Sequence, residues 1–225
     1  MSPTDAELGR PPSFTPLQGS AWGSRPEGLS SAGMSVSSAT LYRLTAAAGV
    51  GSALVLLVNA AKRSGIIATT DLTQLLAPLA EIMALGLVTG LFLAFGRRAG
   101  LFGVVAFVSH FTALASLEGV EVVINLVFSK LPVETIAELL GGPLGLVLTV
   151  SSLLFLVSSL AFILSLVIER SLPRIPLALY VIGGVPIALR AFVPELALDL
   201  GLVSLATAVA WLAGCLWMRA STLTP

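Results

Sequence analysis

The chain has 225 residues, 56% of them hydrophobic and only 11% charged, with a mean hydropathy of +0.99 and a formal net charge of +0. A soluble domain carries about 25% charged residues, so this composition excludes an ordinary water-soluble globular protein. The balanced charge, with Arg and Lys placed singly or in pairs, gives no footprint for nucleic acid, and the single cysteine, Cys215, excludes an intrachain disulfide and a cysteine-based metal site.

Residues 1–38 are rich in Pro, Ser and Gly, with Pro3, Pro11, Pro12, Pro16 and Pro26 spaced along them. Such a segment buries too little apolar surface to offset its ordering entropy, so it reads as a disordered tail. No apolar stretch follows a basic start there, so no cleaved signal peptide is expected.

Six long apolar runs follow, at 41–61, 75–95, 101–128, 144–168, 175–193 and 198–218. A helix needs roughly 20 apolar residues to cross a ~30 Å hydrocarbon core. The runs lack the period-2 alternation of barrel strands. The expected fold is therefore all-α: a polytopic membrane protein with a six-helix transmembrane domain over 39–219 and a short C-terminal tail over 220–225. Between the third and fourth spans, Pro132 and the Gly141-Gly142 pair delimit a short amphipathic helix. Ile136, Leu139 and Leu140 fall on one side of it, Glu134 and Glu138 on another.

An even number of spans places both termini on one side. That side collects Arg43, Arg97, Arg98, Arg170, Arg174 and Arg219, with Arg10 and Arg25 in the tail; the other holds Lys62, Arg63, Lys130 and Arg190. The positive-inside rule then puts both termini in the cytoplasm. Small residues four apart (Gly86, Gly90 and Ala94; Gly145 and Thr149; Ala206, Ala210 and Gly214) mark expected helix–helix seams. In the fourth span, Ser151, Ser158 and Ser165 share one line and Ser152 and Ser159 the next, for packing or for a polar pathway. Pro78-Leu79-Ala80 recurs as Pro176-Leu177-Ala178, and Gly86 as Gly184, the mark of a duplicated three-helix unit if the match has structural meaning.

One polar constellation interrupts the apolar spans. His110, Glu118, Glu121 and Asn125 of the third span fall within about a quarter of the circumference at ~100° per residue. Folding the second span back across the Arg97-Arg98 turn sets Glu81 at the depth of Glu118, in the outer half of the bundle. Asn59, Lys62, Arg63 and Arg190 lie at the same end, and the Arg190 guanidinium can bridge two carboxylates. A charge in the bilayer costs ~2.5–3.5 kcal/mol or more on insertion scales, so such groups face inward and find partners. Three readings stay open: a structural network of Glu81, Glu118 and Arg190, a site for a proton, cation or small molecule, or charges reaching the headgroup layer. His110, the only histidine, excludes bis-histidine haem, and it is placed either as a hydrogen-bonded packing residue or in a relay with Glu118.

There is no phosphate-binding Gly-Lys-Ser/Thr loop, no His-Glu-x-x-His helix and no Gly-x-Ser-x-Gly elbow. A serine-type intramembrane protease would need His110 to meet Ser152 or Ser159, and no motif supports one. No catalytic residue, cofactor or metal ligand is expected.

Ala77-Pro78-Leu79-Ala80-Glu81, Gly119-Val120-Glu121, Gly142-Pro143-Leu144-Gly145 and Leu179-Tyr180-x-x-Gly183-Gly184 are the motifs on which residues 40–219 resemble uncharacterised six-span bacterial membrane proteins that carry a domain of unknown function. The resemblance implies a six-helix fold and no particular activity. Two functions follow from the residues: a small proton- or ion-coupled transporter using the acidic pocket, or a non-catalytic membrane subunit, scaffold or sensor whose polar cluster is structural. The bilayer is the expected partner in both, with a second copy or a membrane subunit compatible with the second.

Overall fold

Ser37 opens the first helix by accepting the Thr40 amide at its hydroxyl, 3.2 Å away, the bond by which an N-cap satisfies a free helix N–H. This computed structural model describes residues 37–223, which form helices and turns without a strand. The expected tail lies outside the described residues except for Ser37 and Ser38, which belong to the start of the first helix.

Helix α1 runs Ser38–Arg63 and ends on Lys62 and Arg63, cations at the negative end of its dipole. Thr70 and Thr73 form a reciprocal capping box that starts α2, Asp71–Leu76. The second span is not one continuous helix. Pro78 lacks an amide proton and its ring crowds the preceding turn, so the helix breaks at Ala77-Pro78 and restarts as α3, Leu79–Ala94. A 3₁₀ turn over Gly96–Ala99 and Gly100, at φ +62°, reverse the chain into α4, Gly100–Val122. Its last turns loosen into a π-type turn, Val123–Val127, and a 3₁₀ turn, Phe128–Lys130.

The short helix expected after Pro132 is present as α5, Val133–Leu140, and packs along α6, Pro143–Glu169. Val133, Leu139 and Leu140 are exposed. Helix α7, Arg174–Ala188, precedes α8, Glu195–Ser221, so the last helix reaches two residues past the expected span boundary.

Five helical segments are long and apolar enough to cross a membrane: Ser38–Arg63, Asp71–Ala94, Gly96–Lys130, Pro143–Glu169 and Glu195–Ser221. Six full-length spans were the expectation, and α7 is the exception. Its 15 residues rise about 22 Å, short of a ~30 Å core. Pro186 removes one ladder bond within its last turn, and the apolar run then continues as turns through Arg190 and Phe192.

The six longer helices close a ring in chain order. Helix α1 packs on α3 and α8, α3 on α4, α4 on α6, α6 on α7, and α7 on α8, with α3 also reaching α8 across the middle. Phe155, Phe162, Leu87, Leu91, Leu212 and Leu216 fill the interior, while Leu54, Val108, Leu146, Ile182 and Leu200 project outward. Apolar side chains on both faces fit helices embedded in lipid.

Of the expected small-residue seams, the one on α3 is real. A Cβ on Gly90 would lie 2.2 Å from the Thr45 hydroxyl, so its hydrogen is what lets α3 reach α1. Gly145 instead makes room for the Leu140 carbonyl, 1.9 Å from where its Cβ would stand, and Ala210 and Gly214 face outward. A further close crossing, against backbone, is one the spacing did not flag: a Cβ on Gly183 of α7 would come within 2.5 Å of the Leu205 amide nitrogen of α8.

Candidate functional site

At the Lys62 end of the ring, all six long helices contribute to one cavity of about 110 Å³. Two layers of polar groups surround it, and they differ in how fully they are satisfied.

The outer layer is a closed chain of bonds. Glu121, in the last turn of α4, accepts from Arg190 Nη1 at 3.2 Å through one carboxylate oxygen and from Asn125 Nδ2 at 2.8 Å through the other. Asn125 stays in reach because the π-type turn keeps it one turn beyond Glu121, where its amide also donates to the Glu121 carbonyl at 3.0 Å. Its Oδ1 accepts from Lys62 Nζ at 2.8 Å. Lys62–Asn125–Glu121–Arg190 thus ties α1, α4 and the segment after α7 together at half-buried positions. Beside it, Arg63 pairs with Glu195 and approaches Asp199 at 3.6 Å, holding the end of α1 to the start of α8.

The inner layer is not closed. Ser52, midway along α1, donates to the Ala80 carbonyl at 2.8 Å and so sets the depth of the restarted helix α3. Lys62 lies ten residues further along α1, about 15 Å at the helical rise. Glu81, next to Ala80 in the first turn of α3, therefore sits near mid-span rather than within the outer half. Its Oε2 is buried without a hydrogen-bond partner, and the same holds for Oδ1 of Asn59, whose side chain is buried; both residues line the cavity. The break at Pro78 makes this placement, because it brings a helix start, and Glu81 with it, into the middle of the bundle.

His110 is completely buried and stands behind the cavity wall. Ser158, which donates to the Phe155 carbonyl at 3.2 Å, lies 3.3 Å from His110 Nδ1. The Tyr180 hydroxyl bonds the other ring nitrogen, Nε2, at 2.8 Å. Phe162 stacks on the ring at 5.1 Å. Ser158 and Phe162 of α6 and Tyr180 of α7 thereby hold the α4 imidazole in place. Ser159 lies 3.5 Å from Nδ1, and neither Ser158 nor Ser159 lines the cavity.

Of the six residues expected to converge, Glu81, Glu121, Asn125 and Arg190 line the cavity. His110 reaches it only through Tyr180. Glu118 is partly exposed, lies outside the lining and has no hydrogen-bond or ion-pair partner among the described residues, so neither a His110–Glu118 relay nor a Glu81–Glu118–Arg190 network forms. Arg190 chooses Glu121 because the two helix ends meet there. Tyr180 and Phe155 were not anticipated; the one available sign was a tyrosine inside an otherwise apolar run. No group of three His, Cys, Asp or Glu among the described residues can hold a metal ion.

The chain matches no protein-family model, no curated protein and no solved structure.

Proposed function

We propose that this protein is a small bacterial inner-membrane permease, with both termini cytoplasmic and the cavity opening outward, that moves a proton-coupled, cationic or small-molecule cargo past Glu81. The family resemblance carried by the short motifs is part of the same proposal. In this reading α7 is the sixth crossing, completed by the non-helical residues after it, which face protein rather than lipid. The observation that carries the proposal is Glu81: an intramembrane carboxylate with an unsatisfied oxygen, at the restart of a broken helix, facing a cavity walled by all six long helices. Ionisable groups at mid-membrane mark substrate and ion pathways, and interrupted helices build the binding sites of many transporters.

The satisfied outer layer favours a structural role for Glu121, Asn125 and Arg190, so the subunit or scaffold reading survives for those residues and is set aside for Glu81. The two readings separate by accessibility. In a Cys215→Ala background, Leu56→Cys and Leu205→Cys place thiols on the cavity wall. A permease lets a membrane-impermeant thiol reagent reach them from either face of sealed vesicles. Labelling from one face only, with Glu81→Gln changing nothing, overturns the proposal.

A further inference from the structure

We infer that the cavity's ligand is a small organic ammonium ion bearing a short apolar chain. This rests on the permease reading for its biological meaning, but the argument is one of chemistry.

Charge is the first step. Around the mouth stand three cations, Lys62, Arg63 and Arg190, and three carboxylates, Glu121, Glu195 and Asp199, joined by the bonds described above. They cancel. Glu81 is left as the one carboxylate of the lining without a cation bonded to it. A ligand that complements the interior is therefore a cation.

Hydrogen-bonding character is the second. The two unpartnered buried atoms in the lining, Glu81 Oε2 and Asn59 Oδ1, are both acceptors. Tyr180 stands in the same lining with its hydroxyl engaged by His110 Nε2 at 2.8 Å. A ligand that satisfies the two unpartnered atoms brings an N–H or O–H donor to each, which an ammonium group with its three donors can do.

Size and walls are the third. A cavity of about 150 Å³ holds a benzene ring, so this one, at about 110 Å³, has room for about four or five heavy atoms. A bare proton would leave that volume and Asn59 unused. A metal ion would find a single carboxylate without a bonded cation, amid Leu56, Leu114, Leu117 and Phe155. An alkyl chain suits the leucines, and the aromatic faces of Phe155 and Tyr180 suit a cation.

The test uses the full chain, purified in detergent, titrated calorimetrically with n-butylammonium, 1-butanol and butyrate, which share a four-carbon chain and differ in charge and donors. Saturable binding of n-butylammonium is expected, with neither of the others binding at the same concentrations. Glu81→Gln is expected to weaken it about tenfold or more, the weight of one charge-assisted hydrogen bond, and Asn59→Leu several-fold. Equal binding of the alcohol, preference for butyrate, or unchanged affinity in Glu81→Gln overturns the inference; if that variant does not fold, unchanged affinity in Asn59→Leu does the same. A cavity reachable from both membrane faces that ignores n-butylammonium overturns the ammonium and leaves the permease standing. Selective n-butylammonium binding in a cavity reachable from one face supports the ammonium and overturns the permease.

Discussion

Tyr180→Phe removes one hydroxyl and strands one nitrogen. The ring of Phe fits where the ring of Tyr stood, so the perturbation is almost purely the loss of the 2.8 Å bond to His110 Nε2. His110 is 0% exposed, and Phe155 and Phe162 flank it, so water does not replace the lost partner. A buried polar group left unsatisfied costs about 1–3 kcal/mol in a water-soluble protein. Interhelical hydrogen bonds inside membranes average about 0.6 kcal/mol and reach about 1.7, because the separated helices also find partners. The dry aromatic surroundings put this bond at the upper end, about 1–2 kcal/mol. Unfolding the purified protein from detergent micelles in SDS, followed by far-UV circular dichroism, measures the loss. A thermodynamic cycle with His110→Leu sharpens it. Once the imidazole is gone there is nothing left to strand, so Tyr180→Phe on that background is expected to cost less than about 0.5 kcal/mol, the spread of additive pairs. A wild-type stability in Tyr180→Phe, or strict additivity of the two changes, refutes the claim that the hydroxyl serves the histidine.

Arg190→Leu leaves Glu121 Oε1 without its partner at a side chain only 18% exposed, so a loss of about 1–3 kcal/mol is expected. Adding Glu121→Leu is expected to recover part of it, since removing both members of a poorly solvated pair is milder than removing one; SDS unfolding of the single and double variants decides. Gly183→Ala forces a methyl to within 2.5 Å of the Leu205 backbone nitrogen and is expected to cost about 1–3 kcal/mol by pushing α7 off α8. Gly214→Ala, in the same ring but with open space at its Cβ, is expected to be neutral or stabilising by up to about 1 kcal/mol; a thermal melt of the two variants side by side tests the contrast. Glu118→Gln is expected to change neither stability nor n-butylammonium affinity, and a tenfold loss in calorimetry would return that residue to the site.

The helices were legible because lipid imposes a length rule, and five of the six runs coincide, to within about five residues at each end, with helical segments long enough to cross. The sixth failed for a local reason: Pro186 and the approach to Arg190 end α7 at Ala188, and the length of an apolar run carries no record of a missing amide proton. Pro78 is the same lesson with a functional consequence. Read as the opening of a helix, it leaves Glu81 in the outer half; as a break inside a span, it lowers Glu81 to the level of Ser52. The angular clustering of His110, Glu118, Glu121 and Asn125 identified the right helix and not the right partners. A quarter-turn of arc still covers several neighbours, so Glu118 clears the cavity edge while His110 points to α6 and α7. Which cation meets which carboxylate depends on where helix ends arrive in space, and no periodicity encodes that.

The contrast between the two polar layers bears on why the interior is polar at all. If the cluster served only to hold helices together, each group would be matched, as in the Lys62–Asn125–Glu121–Arg190 chain, where every element contributes a donor to a waiting acceptor. A leucine at position 81 would pack against Leu114 and Leu117 at no electrostatic penalty, whereas a carboxylate at mid-membrane costs at least ~2.5–3.5 kcal/mol on insertion scales. Its place in the first turn of α3 offsets part of that cost, but Oε2 has no hydrogen-bond partner, and neither has Asn59 Oδ1 on the same cavity wall. Two acceptors facing one space repel any third, and they attract a donor that arrives from outside. The arrangement is thus unfavourable as packing and complementary as a receptor, and that asymmetry places the ligand against Glu81 and Asn59 rather than at the salt-bridged rim.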